Sequence, residues 1–323
     1  MRQIQLRCLD RNVSALGFGC ASLGSRISPT AGQRAAFRAL DLGVTWFDVA
    51  PSYGDGQAEE LLGKWLSGER RKIVICTKVG IEPPQIARVQ RLVRPFIRPL
   101  VKLIPQIRQR VSRLRPTGRH IPIEPEEIEG LVARSLRRLR TDYIDVLALH
   151  EPNLSVDASD RVFKAIAQVV KKGMVRSVSL AGVPESIWAA VAAGHSVDFF
   201  QFRDTPFEGA APLVRKTICK EGAVFVTHGV YGSGTLERLH GLRQASIDLF
   251  GELARRLNIP ERRLEVEILG RFAFANNPEG VVVFSMFQEG HLKFNAKVAS
   301  MVPDPQLADE VRRIVNCSGN SHA

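Results

Sequence analysis

The chain has no paired-cysteine motif. Its five cysteines, Cys8, Cys20, Cys76, Cys219 and Cys317, are scattered with no CxxC and no metal-type spacing. An odd, dispersed set points to reduced thiols, with neither a disulfide framework nor a metal site. Long hydrophobic runs are missing too: nothing approaches the roughly 20 apolar residues of a membrane-spanning helix. The opening run MRQIQLRCLDRNV has no apolar core of signal-peptide length, so a cytoplasmic location is expected. Internal repeats and low-complexity tracts are absent. With 45% hydrophobic and 24% charged side chains over 323 residues, disorder and fibre are excluded.

What is present is a rhythm. Short runs rich in Val, Ile, Phe and Leu alternate with longer amphipathic stretches, and Gly, Pro or Asp marks most changes. Eight runs read as strands: Ala15–Cys20, Thr45–Val49, Ile73–Val79, Tyr143–His150, Val175–Leu180, Phe199–Phe202, Ala223–Thr227 and Val281–Phe284. Between them, Ala31–Leu42, Gln57–Leu66, Pro125–Leu139, Arg161–Val170 and Pro184–Ala193 read as helices. Ser28, Pro29 and Pro184 suit helix starts, and Gly43 and Gly194 suit helix ends. Nearly continuous apolar strands joined by helical crossovers imply a parallel sheet covered on both faces. Eight such units predict an α/β fold of the closed (β/α)8 TIM barrel type, with an open doubly wound sheet as the other arrangement. One domain is expected over 1–323, with an N-terminal β-hairpin at residues 2–13, two helices over Ala245–Ala275, and a basic helical insertion after strand 3 at 83–123.

Reacting groups of an α/β barrel gather where its strands end. Strand two runs out through Asp48 to Tyr53, strand three through Lys78, and strand four ends in His150. A tyrosine is a poor acid at neutral pH, but a neighbouring ammonium stabilises its phenolate. A carboxylate beside a buried lysine keeps that lysine charged. A neutral histidine can donate to a carbonyl oxygen and align it with the tyrosine hydroxyl. Such a set protonates the alkoxide formed when hydride reaches a carbonyl. It contains no hydride donor, so a nicotinamide cofactor is expected.

The run DVAPSYGDGQAEELLG at 48–63, with TKVG at 77–80, SLRRLRTDYID at 135–145 and Leu149-His150, resembles the aldo/keto reductase family. The resemblance covers most of the chain and implies a barrel whose bottom is closed by the hairpin. It also implies NAD(P)H-dependent reduction of aldehydes or ketones, or the reverse oxidation. It assigns Tyr53 as general acid, Lys78 and Asp48 as its tuning pair, and His150 as the carbonyl-orienting group. On the cofactor side it departs from the family pattern. Where the family reads Gly-Val-Ser-Asn after strand five, with Ser and Asn holding the nicotinamide carboxamide, this chain has SLAG at 179–182. Gln201 falls at the family's carboxamide-binding glutamine, and His228 at its ring-stacking tyrosine. Gly232, Ser233 and Gly234 fit a loop over the pyrophosphate, where small residues let backbone amides approach phosphate oxygens. Ser285, His291 and Asn295 fall on the adenosine end. His291 stands where an arginine is common, which implies a reduced preference for NADP and leaves NAD open. An alternative function on the same fold is a regulatory or binding protein that senses the cofactor or docks to an anionic membrane surface.

Charge completes the reading. The chain has 45 Lys and Arg against 33 Asp and Glu, a formal +12. Residues 83–123 hold ten of those bases (Arg88, Arg91, Arg94, Arg98, Lys102, Arg108, Arg110, Arg113, Arg115 and Arg119) and no acid, so the remaining chain is nearly neutral. Apolar residues recur there at three- and four-residue steps, interrupted by Pro95, Pro99 and Pro105, which predicts short kinked helices. Three roles are open: a lid with solvated arginines, guidance of anionic carbonyl substrates, or peripheral contact with anionic lipid through residues 86–118. Nucleic acid is not expected, since the run is broken by proline and nearly lacks stacking aromatics.

Overall fold

The computed structural model describes residues 1–83, 119–152, 156–195, 197–218, 220–232 and 234–319. Strands β1 (Gln3–Leu6) and β2 (Arg11–Ser14) form an antiparallel hairpin. They are followed by β3 (Leu16–Gly19), β4 (Trp46–Asp48), β5 (Val74–Val79), the short β6 (Ile81–Glu82) and β7 (Arg119–His120), and then β8 (Ile144–His150), β9 (Val175–Ala181), β10 (Phe199–Arg203), β11 (Val224–His228) and β12 (Val281–Phe284). The eight strands β3, β4, β5 and β8 to β12 pair in parallel in chain order, and β12 returns to β3 to close the barrel.

The strands are almost wholly buried because their inner faces fill the barrel and their outer faces meet helices. Trp46 on β4 meets Phe199 on β10, four strands away, with ring centroids 5.5 Å apart. The interior is therefore packed with side chains. The first helix, Pro29–Asp41, starts as its sequence dictates: Ser28 accepts the Ala31 N–H, and Pro29 takes the first turn. Helix Ala58–Leu66 carries buried Glu59 against β5, where Thr77 Oγ1 donates to Glu59 Oε1 at 2.7 Å and Arg138 Nη1 to Oε2 at 2.8 Å. This bracket fixes the strand that carries Lys78.

The segment RTDYID at 140–145 works at the opposite end of the barrel. Asp145 is fully buried and accepts the Ile75 N–H at 2.9 Å, and it pairs with Arg70 at 2.7 Å. Arg70 and Arg176 lie over the Tyr143 ring at 3.9 and 3.7 Å. Arg11 of the hairpin donates to the Ile73 carbonyl, so the hairpin sits across the amino ends of the strands, as the resemblance implies.

Between β11 and β12 lie three helices, Thr235–Ala245, Ile247–Leu257 and Leu264–Asn276, where the sequence suggests two. The first escapes periodicity because only Thr235 and Leu239 are buried along it. Helices Ala210–Thr217, Glu289–Ala299 and Pro305–Gly319 complete the outer layer. Among the described residues, no helix is long and apolar enough to cross a membrane. The basic insertion is anchored as a two-stranded ribbon, β6 against β7, with Ile121 N–H donating to the Gly80 carbonyl. The expected kinked helices, nine of the ten bases and the proposed lipid-contacting residues 86–118 lie outside the described residues.

Candidate active site

Asp48 ends β4, Lys78 lies one residue before the end of β5, and His150 ends β8. Parallel register carries all three to one rim: Asp48 stands opposite Cys76, and Lys78 opposite Ala148. Tyr53 reaches that rim through a tight turn in which its N–H donates to the Ala50 carbonyl at 3.0 Å. The turn requires Gly54. Its φ is +60°, and an added Cβ would lie 1.6 Å from the Leu23 carbonyl oxygen, a position no other residue can take.

Lys78 Nζ donates to Asp48 Oδ1 at 2.7 Å and to the Val49 carbonyl at 3.3 Å, and both side chains are nearly sealed from solvent. Burial, the largest single influence, pulls Lys78 toward its neutral form, but Asp48, with smaller help from Tyr53 and Cys76, more than offsets it and holds the ammonium above the usual lysine range. That ammonium lies 4.9 Å from the centroid of the Tyr53 ring. Burial raises the Tyr53 phenol to about 12, with Lys78 opposing the rise and Asp48 adding to it. Burial thus outweighs the stabilisation that Lys78 offers the phenolate, and the phenol keeps its proton at neutral pH.

The Tyr53 and His150 rings meet edge to face, with centroids 6.3 Å apart. Burial, reinforced by the Lys78 ammonium and by His228 and His120, lowers His150 to about 3. Its imidazole is neutral at pH 7, and among the described residues its Nδ1 has no hydrogen-bond partner. His228, at the end of β11, is lowered to about 4, chiefly by burial. Both rings can therefore meet a ligand as uncharged groups.

Two cavities flank this rim. One, of about 600 Å³, runs from Asp48, Tyr53, Gln201 and His228 past Gly232 to Ser285, His291 and Asn295. Six of the eight residues expected on the cofactor side thus share one cleft with the tetrad end. Gly234 does not line it; with φ +74° it precedes the helix Thr235–Ala245. Ser233 lies outside the described residues. Asn295 is buried and donates weakly to Met286 Sδ at 3.8 Å. The other cavity, of about 500 Å³, is walled by Tyr53, Lys78 and His150 together with Glu151, Gly182, Trp188, Arg203 and Glu208. Gln201 lines both. Its Nε2 donates to Asp48 Oδ2 at 2.8 Å, and its Oε1 takes a long contact from Cys76 Sγ at 3.9 Å. The side-chain amide is thereby drawn into the Asp48–Lys78 network.

Sequence reasoning missed Arg26, which follows β3 and is the one Lys or Arg among the described residues lining the longer cleft. Its signal was a place just beyond a strand's carboxyl end. It also missed Glu151, Trp188 and Arg203. Glu151 is adjacent to His150, but nothing local shows which way it turns; Trp188 sits on a helix and carried no motif.

The longer cleft fits a dinucleotide. Its lining has a neutral imidazole at the tetrad end, a glycine where backbone could approach a phosphate, and a guanidinium on its wall. A model of the Aldo/keto reductase family matches residues 15–316. The chain is 27% identical over 201 residues to the NADP(+)-labelled aldo-keto reductase yakc of Schizosaccharomyces pombe, which covers 60% of this chain and 50% of that protein. It is 27% identical over 264 residues to D-threo-aldose 1-dehydrogenase of a Pseudomonas species, covering 75% and 72% respectively. The chain spans about half the length of several curated relatives it matches. An aldo-keto reductase from Bacillus halodurans, in its holo form, superposes with a TM-score of 0.68 at 23% identity over 97% of this chain and 96% of that one, which shows a common fold. From the match over residues 15–316, the chain belongs to the aldo/keto reductase family.

Proposed function

We propose that this chain is an oxidoreductase that reduces an aldehyde or ketone to an alcohol, or runs the reverse, with a nicotinamide cofactor. The observation that carries the reading is the meeting of Asp48, Tyr53, Lys78 and His150 on one rim where the two cavities join. The bound cofactor supplies or accepts hydride. Gln201, His228, Gly232, Ser285, His291 and Asn295 are the residues to hold it, with Arg26 added as a charge for phosphate.

The chain's own part is to place and protonate the carbonyl. His150, neutral at pH 7, donates a ring N–H to the carbonyl oxygen and orients it toward Tyr53. Tyr53 then gives its proton to the developing alkoxide. A phenol at about 12 is a stronger acid than an alcohol, whose pKa is near the roughly 15.7 of bulk water, so the transfer is downhill. Lys78 stabilises the phenolate left behind, and Asp48 keeps Lys78 charged.

Several relatives are named for sugar chemistry, among them an aldose dehydrogenase and an L-galactose dehydrogenase, which favours polyhydroxylated carbonyl compounds as the first substrates to test. At the adenosine end, an imidazole at His291 offers less fixed charge than a guanidinium, while a 2′-phosphate brings nearly two negative charges. A preference for NADPH over NADH below about 100-fold, roughly 2.7 kcal/mol, is therefore expected. The test is to follow oxidation of each reduced cofactor on a panel of sugars, sugar phosphates and simple aldehydes, with product alcohol quantified. Equal molar consumption of cofactor and carbonyl supports the reading. Tight cofactor binding with no turnover across the panel would favour the cofactor-sensing alternative.

A further inference from the structure

The second cavity contains a carboxylate that the proposed chemistry leaves unused. Glu151 directly follows His150 and holds a left-handed backbone, φ +50°, which is uncommon for a residue with a side chain. That conformation turns its side chain across to the end of β9. Glu151 N–H donates to the Ala181 carbonyl at 2.6 Å, and its Oε2 accepts the Val183 N–H at 3.4 Å. A Cβ added to Gly182 would lie 2.9 Å from Glu151 Oε2 and 2.7 Å from Ser186 Oγ. The carboxylate thus stands in the space that a side chain at position 182 would fill. Gly182 is also the position at which the sequence lacks the expected asparagine. No Lys or Arg neutralises Glu151 among the described residues, whereas Arg203 on the same wall is paired with Glu208 at 3.2 Å. Glu151 shares its cavity with Tyr53, Lys78, His150, Gln201 and His228, so its charge is held beside the tetrad.

We propose that Glu151 is a positioning residue that makes this site discriminate between the two redox forms of its cofactor, favouring the oxidised one. The inference rests on the oxidoreductase reading and deepens it. Transfer of hydride, with its electron pair, from a reduced nicotinamide to a carbonyl carbon leaves one positive charge on the ring. A carboxylate held in place by its contacts to the end of β9 stabilises that charge and is indifferent to the neutral reduced ring. A neutral amide in the same place would bind both forms alike. The consequence is differential: Glu151 strengthens binding of the oxidised cofactor over the reduced one and shifts the equilibrium on the protein toward oxidised cofactor and alcohol, the product side of carbonyl reduction.

The experiment measures dissociation constants for oxidised and reduced cofactor, by protein fluorescence quenching, in wild type, Glu151→Gln and Glu151→Ala, with circular dichroism to verify folding. The expected result is a rise of about tenfold in the ratio of oxidised to reduced constants in Glu151→Gln, carried by weaker binding of the oxidised form. Glu151→Ala should give the same direction. Glu185→Gln, a carboxylate further out on the same wall, should change the ratio by less than about twofold. If Glu151→Gln leaves the ratio within about twofold of wild type, or weakens both forms equally, the proposal is overturned while the oxidoreductase reading stands. If wild type binds neither form, both readings fall together.

Discussion

Replacing Asp48 by Asn removes one charge from a pair sealed inside the barrel mouth and leaves the other behind. At 2.7 Å, two unit charges attract by roughly 6 kcal/mol at an effective dielectric of about 20. Part of this is offset by the cost of taking both out of water, and breaking such a pair from one side destabilises by about 3–5 kcal/mol. The loss has a pH signature. In wild type Lys78 is held above its ordinary value of 10.5, so its contribution is fully present below about pH 10.5 and is lost only as pH rises through the folded value. In Asp48→Asn burial, the largest influence on Lys78, loses its chief opponent, and Lys78 is expected to fall below 10.5. The variant then gains stability as pH rises toward that value, by up to about 1.4 kcal/mol per unit. Urea unfolding followed by circular dichroism, run on both proteins between about pH 7 and about pH 10, should show a gap of about 3–5 kcal/mol that narrows with pH. A gap under about 1 kcal/mol that does not change with pH would refute the reasoning, because it would mean that Lys78 is not charged by Asp48.

Two other perturbations follow from the same geometry. Gly54→Ala puts a methyl group 1.6 Å from the Leu23 carbonyl oxygen at φ +60°; it should cost at least about 3 kcal/mol in urea unfolding, beyond the ~1–2 kcal/mol of a left-handed residue alone, and lower kcat by displacing Tyr53. Stability within about 1 kcal/mol of wild type would show that the turn can relax. The pH profile of kcat/KM for carbonyl reduction should be flat through the ordinary histidine range, because His150 and His228 lie at about 3 and about 4. Reduction should fail only as pH climbs toward the Tyr53 value of about 12, since the acid must carry its proton. An inflection near the ordinary histidine value of roughly 6.5 would place a titrating imidazole in the reaction and contradict this account.

The barrel was legible in the sequence because most of its strands are buried on both faces and so read as nearly continuous apolar runs; β9, with exposed Arg176, is the exception. The tetrad was legible because its residues end successive strands, where chain order alone brings them to one rim. Glu151 was not, because its position over Gly182 depends on how the ends of β8 and β9 lie side by side and on a left-handed turn that no local pattern announces. The helix Thr235–Ala245 was missed for want of a buried stripe. The segment RTDYID carried family resemblance without revealing its work. The structure places Asp145 and Tyr143 at the far end of the barrel, clasped by Arg70 and Arg176, where they hold the strands together away from the reacting rim.

The central claim is that Tyr53 supplies the proton to the reduced carbonyl. Tyr53→Phe removes only the hydroxyl and leaves the ring against His150 and beneath Lys78 in place. With cofactor affinity measured by fluorescence quenching and turnover by cofactor oxidation, the account predicts dissociation constants within about threefold of wild type and a fall in kcat of at least about a thousandfold, roughly 4 kcal/mol of lost transition-state stabilisation. A variant that keeps more than about a tenth of the wild-type rate, a loss of only ~1.4 kcal/mol, would contradict it.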